Sequence, residues 1–277
     1  MSSKKWEKFP PETIERLFQA VEENDRVGST ASLPPSIEVQ CSTESVRHCY
    51  ALCLQFWQEG VHREDLLKLI NLALQQGELN EKDQLRYKYI RARYKHLRFA
   101  QRLYGKKHES DFMFRLTTVY LGHFQDAIRH RGGGKIKLYG RLLKILLSAP
   151  VWRWVHFCLR NVTVDDASGF IHYRQQKIRT LKTMIASPAL TGERFHNVRK
   201  IISQQVSYYD TVRSIDPKNV DAAQLSGFLS NINGLMGGRH DEMVADELSG
   251  RKSYRESSPL AENIRQPVEQ FVARYPL

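Results

Sequence analysis

The chain has 277 residues, a mass of 32.2 kDa and a formal net charge of +12, with 42 Lys and Arg against 30 Asp and Glu. That length suits one large domain or two modest ones and supports a core without covalent staples. The charge points to anionic partners such as nucleic acid, polyphosphate or a membrane surface.

Several classes fall away on the same grounds. The longest apolar stretch, Ile145 to Leu159, is broken by Ser148, Pro150, Arg153 and His156, and is too short and polar to span a bilayer. Met1 to Trp6 leads into charged residues and prolines, without the apolar segment of a signal peptide. Cys41, Cys49, Cys53 and Cys158 lack zinc-ligand spacing and read as reduced, mostly buried thiols of a cytoplasmic protein.

Taken in order, the chain reads as helix after helix. Pro10–Pro11 starts the first, with Ile14, Leu17, Phe18 and Val21 on one face. Gly28 to Pro35 reads as a linker. A second helix runs from about Thr43 to Gln58, and Leu66, Leu67, Leu69, Ile70 and Leu72 mark a third that ends at Gly77. Asn80 caps a long fourth helix reaching Tyr104, with Gly105 beyond it. A fifth spans about Ser110 to His130, and Gly132–Gly134 reads as a flexible break. Leu138 to Leu147 and a Trp-rich segment from Pro150 to Leu159 follow, then Asp165 to Ser187. Thr191 caps a helix to about Ser214. Asp221 to Ser249 is helical with a weak point at Gly237–Gly238, and Pro259 to Arg274 closes the series. No alternating apolar run is long enough for a sheet, so the fold class is all-α.

The charge is concentrated. Between Leu85 and Ile145 lie sixteen basic residues and only three acids, Glu109, Asp111 and Asp126. That stretch alone carries a larger positive excess than the +12 of the whole chain. Lys88, Arg91, Lys95, Arg98 and Arg102 recur every three or four residues, which sets five cations on one stripe of one helix. Ile90, Tyr94 and Leu97 form a separate apolar stripe. Consecutive cations so placed can meet consecutive phosphates of a linear polyanion. Trp152, Trp154 and Phe157 sit in an apolar segment and read as core. Gly132-Gly133-Gly134-Lys135 lacks the spacing and the preceding strand of a phosphate loop.

Two segments echo each other. Lys88-Tyr89-Ile90-Arg91 is followed by Leu121-Gly122-His123-Phe124-Gln125-Asp126. His196-Asn197-Val198-Arg199-Lys200 is followed by Met236-Gly237-Gly238-Arg239-His240-Asp241. In each, a helix carrying x-x-apolar-Arg precedes one carrying apolar-Gly-x-x-polar-Asp, which indicates a duplicated helical unit. Asp126 and Asp241 read as structural partners that orient an Arg of a neighbouring helix.

At these residues the chain resembles the CHAD family, the conserved histidine α-helical domain, as a divergent member. The resemblance implies a duplicated pair of four-helix bundles with pseudo-two-fold symmetry and a basic cavity that binds inorganic polyphosphate. It places repeat 1 at about 63–132 and repeat 2 at about 135–246, within a domain spanning 61–250. Residues 1–60 form an N-terminal helical extension and residues 251–277 a C-terminal linker and helix. By position, Lys88 stands where the first family His would be, followed by Arg91, Lys95, His96 and Arg98; His196, Arg199 and Lys200 begin the second copy. Ser203, Gln204 and Val206 replace the later basic residues of that copy. Arg102 and Arg194 complete the set of polyanion-binding candidates.

The function read from these residues is non-catalytic binding of polyphosphate, with RNA or DNA as the alternative ligand. No nucleophile–base pair or acidic metal cluster is evident, so no enzyme activity, metal or cofactor is expected. A cytoplasmic location, in association with polyphosphate granules, fits this reading. The helix carrying Ile14, Leu17, Phe18 and Val21 is a candidate docking element for a protein partner, or it folds back on the bundle.

Overall fold

A computed structural model describes residues 6–23 and 32–277. The first part of the Gly28–Pro35 segment lies outside the described residues, as do residues 1–5. Among the described residues the chain forms eleven helices and one antiparallel pair of two-residue strands, β1 (Ala189–Leu190) with β2 (Ser258–Pro259). The all-α reading holds.

The chain divides into two compact units. The first holds residues 6–10 and 47–165, and the second holds residues 11–23, 32–46 and 166–277. The chain passes from the second to the first within α2 (Thr43–Gly60).

In the first unit, α3 (Arg63–Gln76), α4 (Glu81–Tyr104), α5 (Phe112–Arg129) and α6 (Gly133–Leu146) pack as a ring: α3 on α4, α4 on α5, α5 on α6 and α6 on α3. α7 (Ala149–Arg160) rests on α5 and α6. Asn80 and Asp111 start α4 and α5 by accepting hydrogen bonds from the amides of Asp83 and Phe114, each at 2.9 Å. The core centres on Trp57, which meets Tyr94, Phe114 and Trp152 at ring distances of 5.6, 5.5 and 5.4 Å.

In the second unit, α8 (Ala167–Ile185), α9 (Gly192–Ile215), α10 (Val220–Leu248) and α11 (Glu262–Arg274) pack in the same cyclic order. α1 (Pro11–Glu23) lies on α9 through Leu17 and Ala20. The Arg16 Nε donates to the Ser214 carbonyl at 3.0 Å. α1 thus folds back on α9 with Leu17 buried, while Ile14, Phe18 and Val21 of its apolar face are half-buried.

These boundaries differ from the sequence reading in four places. α6 belongs to the ring of the first unit instead of opening a second repeat. Residues 1–60 are not one extension, because they are shared between the units. The tail beyond residue 250 is built into the second unit. Tyr254 accepts from the Gly192 amide at 2.9 Å, β2 pairs with β1, and α11 packs on α8 and α10. Of the expected linker, Leu33 and Pro34 are buried, and their carbonyls accept from the Arg274 Nη1 at 3.0 and 3.1 Å.

Two local expectations also change. Gly132 stands at the N-terminus of α6, so the triple glycine starts a helix instead of breaking the chain. α10 runs unbroken through Gly237–Gly238.

Candidate polyanion site

The apolar stripe of α4 falls as predicted: Ile90, Tyr94 and Leu97 are buried. The cation stripe runs along its flank. Lys95 is exposed, and Lys88, Arg91, Arg98 and Arg102 are half-buried. Their environments differ. Arg91 turns toward α5, where its Nη1 donates to the Gln125 Oε1 at 3.0 Å. It lies across Gly122 so closely that a Cβ there would sit 3.2 Å from the Arg91 Nη2. Lys95 places its Nζ over the Phe99 ring at 5.6 Å.

Arg98 and Arg102 stand one turn apart near the C-terminal end of α4, and Arg115 lies in the first turn of α5. Burial, together with the charges of Arg102 and Arg115, pushes the Arg98 pKa down. Among the described residues the buried Arg98 Nε has no hydrogen-bond partner. Among the described residues, none of Arg98, Arg102 and Arg115 forms an ion pair. Like charges that form no ion pair repel one another.

The loop joining α4 to α5 is held in place at this end. The Lys106 amide donates to the Thr163 carbonyl at 2.9 Å, and the His108 Nδ1 lies 3.0 Å from the Arg102 carbonyl. The His108 Nε2 sits 3.1 Å from Asp165. Lys106 and Lys107 stay exposed on this braced loop. Asp111 caps α5, its Oδ1 accepting from the Phe114 amide at 2.9 Å, and it forms no ion pair with Arg98, Arg102 or Arg115 among the described residues. Arg115 is exposed in the first turn of α5 and lies 5.5 Å over the Phe112 ring. A cation there adds to the positive end of the helix dipole instead of opposing it.

Arg115 was missed as a site residue by sequence reasoning, although it belongs to the basic stretch. Its position one turn beyond an Asp cap, where helices favour acids, is the signal that marks it.

His96 is a correction. It is buried in the core with its ring edge-on to Phe56 at 5.7 Å. Burial and the neighbouring Lys95 lower its pKa to about 3, so the ring is neutral at physiological pH. It does not belong to a phosphate-binding stripe. Asp126 is a second correction: Arg91 bonds Gln125, and among the described residues Asp126 forms no ion pair.

The second unit holds the remaining candidates at the start of α9. Arg199 lies across Gly237 as Arg91 lies across Gly122, with a Cβ position 3.1 Å from its Nη2. The His196 ring is 5.1 Å from the His240 ring, and the His240 Nε2 is 2.9 Å from the Tyr254 hydroxyl. The Lys200 Nζ donates to the Asn197 Oδ1 at 3.2 Å, and Arg194 is exposed. Farther along α9, residues 201–211 are all buried.

Among the described residues, no group of three or more His, Cys, Asp or Glu is placed to hold a metal ion. No family model matches the chain, and neither a curated protein nor a solved structure matches it.

Proposed function

We propose that this chain binds a linear polyanion, inorganic polyphosphate, without catalysis, through the cationic end of α4 and the start of α5. The carrying observation is the run of Arg98 and Arg102 at the end of α4, followed by Arg115 in the first turn of α5, none of which forms an ion pair among the described residues. Guanidinium forks match phosphate oxygens in geometry and stay charged at any physiological pH. Lys95, Lys106 and Lys107 extend the positive field along the helix and loop.

The resemblance to the CHAD family supports the reading. So does the fold: each unit closes a ring of four helices, and each carries an Arg laid across a glycine of the next helix. We read this as duplication of one helical unit, with the polyanion contacts concentrated in the first copy.

The test is competition between ligands. Long-chain polyphosphate should bind at physiological salt and displace a generic RNA far better than RNA displaces it. Affinity should fall steeply with salt as counterions are released. RNA outcompeting polyphosphate would assign the surface to nucleic acid, and binding of neither would reduce the cluster to a solvated face.

A further inference from the structure

The second feature of the first unit that calls for a ligand is the outer face of α7. The sequence reading put Trp154 and Phe157 in the core, but each is 57% exposed. Their rings stand 5.9 Å apart on the helix surface. The inner face of α7 is already occupied by the buried Val155 and Leu159. The helix thus carries a second apolar face where a helix of this kind normally carries polar residues. Arg153 and Arg160 are exposed on that same side, at helical spacing from Trp154 and Phe157. Just upstream, the end of α6 presents Ile145, 64% exposed, beside the exposed Lys144.

The surrounding chain is one-signed. From Ala127 to Val164 there are eight Lys and Arg and no Asp or Glu. We infer that α7, with the end of α6, docks on the surface of an anionic lipid bilayer. Trp and Phe are the side chains that settle at the boundary between headgroups and acyl chains. Arg and Lys beside them reach lipid phosphates while their stems stay against the apolar layer. Ile145 favours lipid over nucleic acid, because an aliphatic side chain gives a base nothing to stack on. The contact is interfacial. No single helix among the described residues is long and apolar enough to cross a membrane; α6 and α7 reach that length and apolarity only as a pair bent by 64°, and the Arg and Lys on their exposed side suit a headgroup contact.

Flotation with vesicles tests this, using phosphatidylcholine alone and a three-to-one mixture of phosphatidylcholine and phosphatidylglycerol. The full chain should float with the mixed vesicles and not with the neutral ones, with a blue shift of Trp emission. A Trp154→Ser, Phe157→Ser double variant should lose about tenfold or more in vesicle affinity. It should keep its thermal unfolding and its polyphosphate binding. Trp154→Phe should keep binding while losing most of the blue shift. Failure of the full chain to float with the mixed vesicles overturns the inference. So does a double variant that floats as well as the wild type. A double variant that loses RNA binding but keeps vesicle binding would assign the patch to nucleic acid instead. The polyphosphate arm separates failure of this inference from failure of the proposed function.

Discussion

α4 and α9 begin alike and end differently. Both are 24 residues long, both start at a side-chain cap, and both lay an Arg across a glycine of the following helix. Downstream of that Arg, α4 keeps Lys95, Arg98 and Arg102, while the matching positions of α9 hold Ser203, Val206 and Asp210. The neighbours explain the change. α4 packs on α3 and α5 and leaves a flank to water, whereas α9 packs on α1, α8 and α10. A row of Lys and Arg under that cover would lose hydration without gaining a counter-charge. Instead α9 carries small polar groups that bond locally: the Ser203 Oγ donates to the Asn233 Oδ1 at 2.6 Å, and the Ser226 Oγ donates to the Asp210 Oδ1. The extra packing partner of α9 thus goes with the loss of charge at the positions that match the α4 stripe.

The two units also bury a nitrogen base in opposite ways, and this gives the largest expected effect. In the second unit Arg174 is fully buried and charged, stacked 3.7 Å over the Tyr208 ring. It donates to the Gln205 Oε1 at 2.9 Å and the Tyr209 hydroxyl at 3.1 Å. Arg174→Ala should cost about 3 kcal/mol or more, through the cavity and the bonds it strands. Chemical denaturation measures this. A loss below about 1 kcal/mol would mean the aromatic cage does not depend on its cation.

In the first unit the buried base is His96, held neutral. Its folded pKa lies below its unfolded one, so the unfolded chain takes up the proton first as pH falls. Stability should be full above about pH 6.5 and fall by about 1.4 kcal/mol per pH unit below it. The decline continues down to about pH 3, the folded value. Denaturation midpoints across pH 4 to 7 check this, and His96→Leu should flatten the slope that His96 contributes.

The smallest effects probe the braces beside the two Arg–Gly contacts. Gln125→Leu removes the acceptor of Arg91, and Tyr254→Phe removes the hydroxyl that meets His240. Each should cost about 1 kcal/mol, the net worth of one hydrogen bond. A much larger loss at either site would show that the two contacts are braced to different degrees.

The helices were legible because apolar spacing and caps are local: Asn80, Thr191 and Gly105 stand at the ends where their chemistry places them. Burial within a helix was harder to read. His96 lies among basic residues in the chain but one step around the helix from their stripe, which turns it into the core. Trp154 and Phe157 erred the other way, since an apolar segment does not say which of its faces the rest of the chain covers. The Arg98, Arg102 and Arg115 cluster joins two helices, so spacing along one of them revealed only two of its members. The ring closures of residues 251–277 and the cover of α1 on α9 depend on contacts between distant segments, which no local pattern records.

The most direct measurement is polyphosphate affinity for two variants made side by side. One replaces Arg98, Arg102 and Arg115 with Ala, and the other replaces Arg194 and Lys200 with Ala. The account predicts that the first loses about tenfold or more and has a shallower salt dependence, while the second stays within about twofold of wild type. Equal losses in both, or a loss confined to the second, would contradict the assignment of polyanion binding to the α4 end of the first unit.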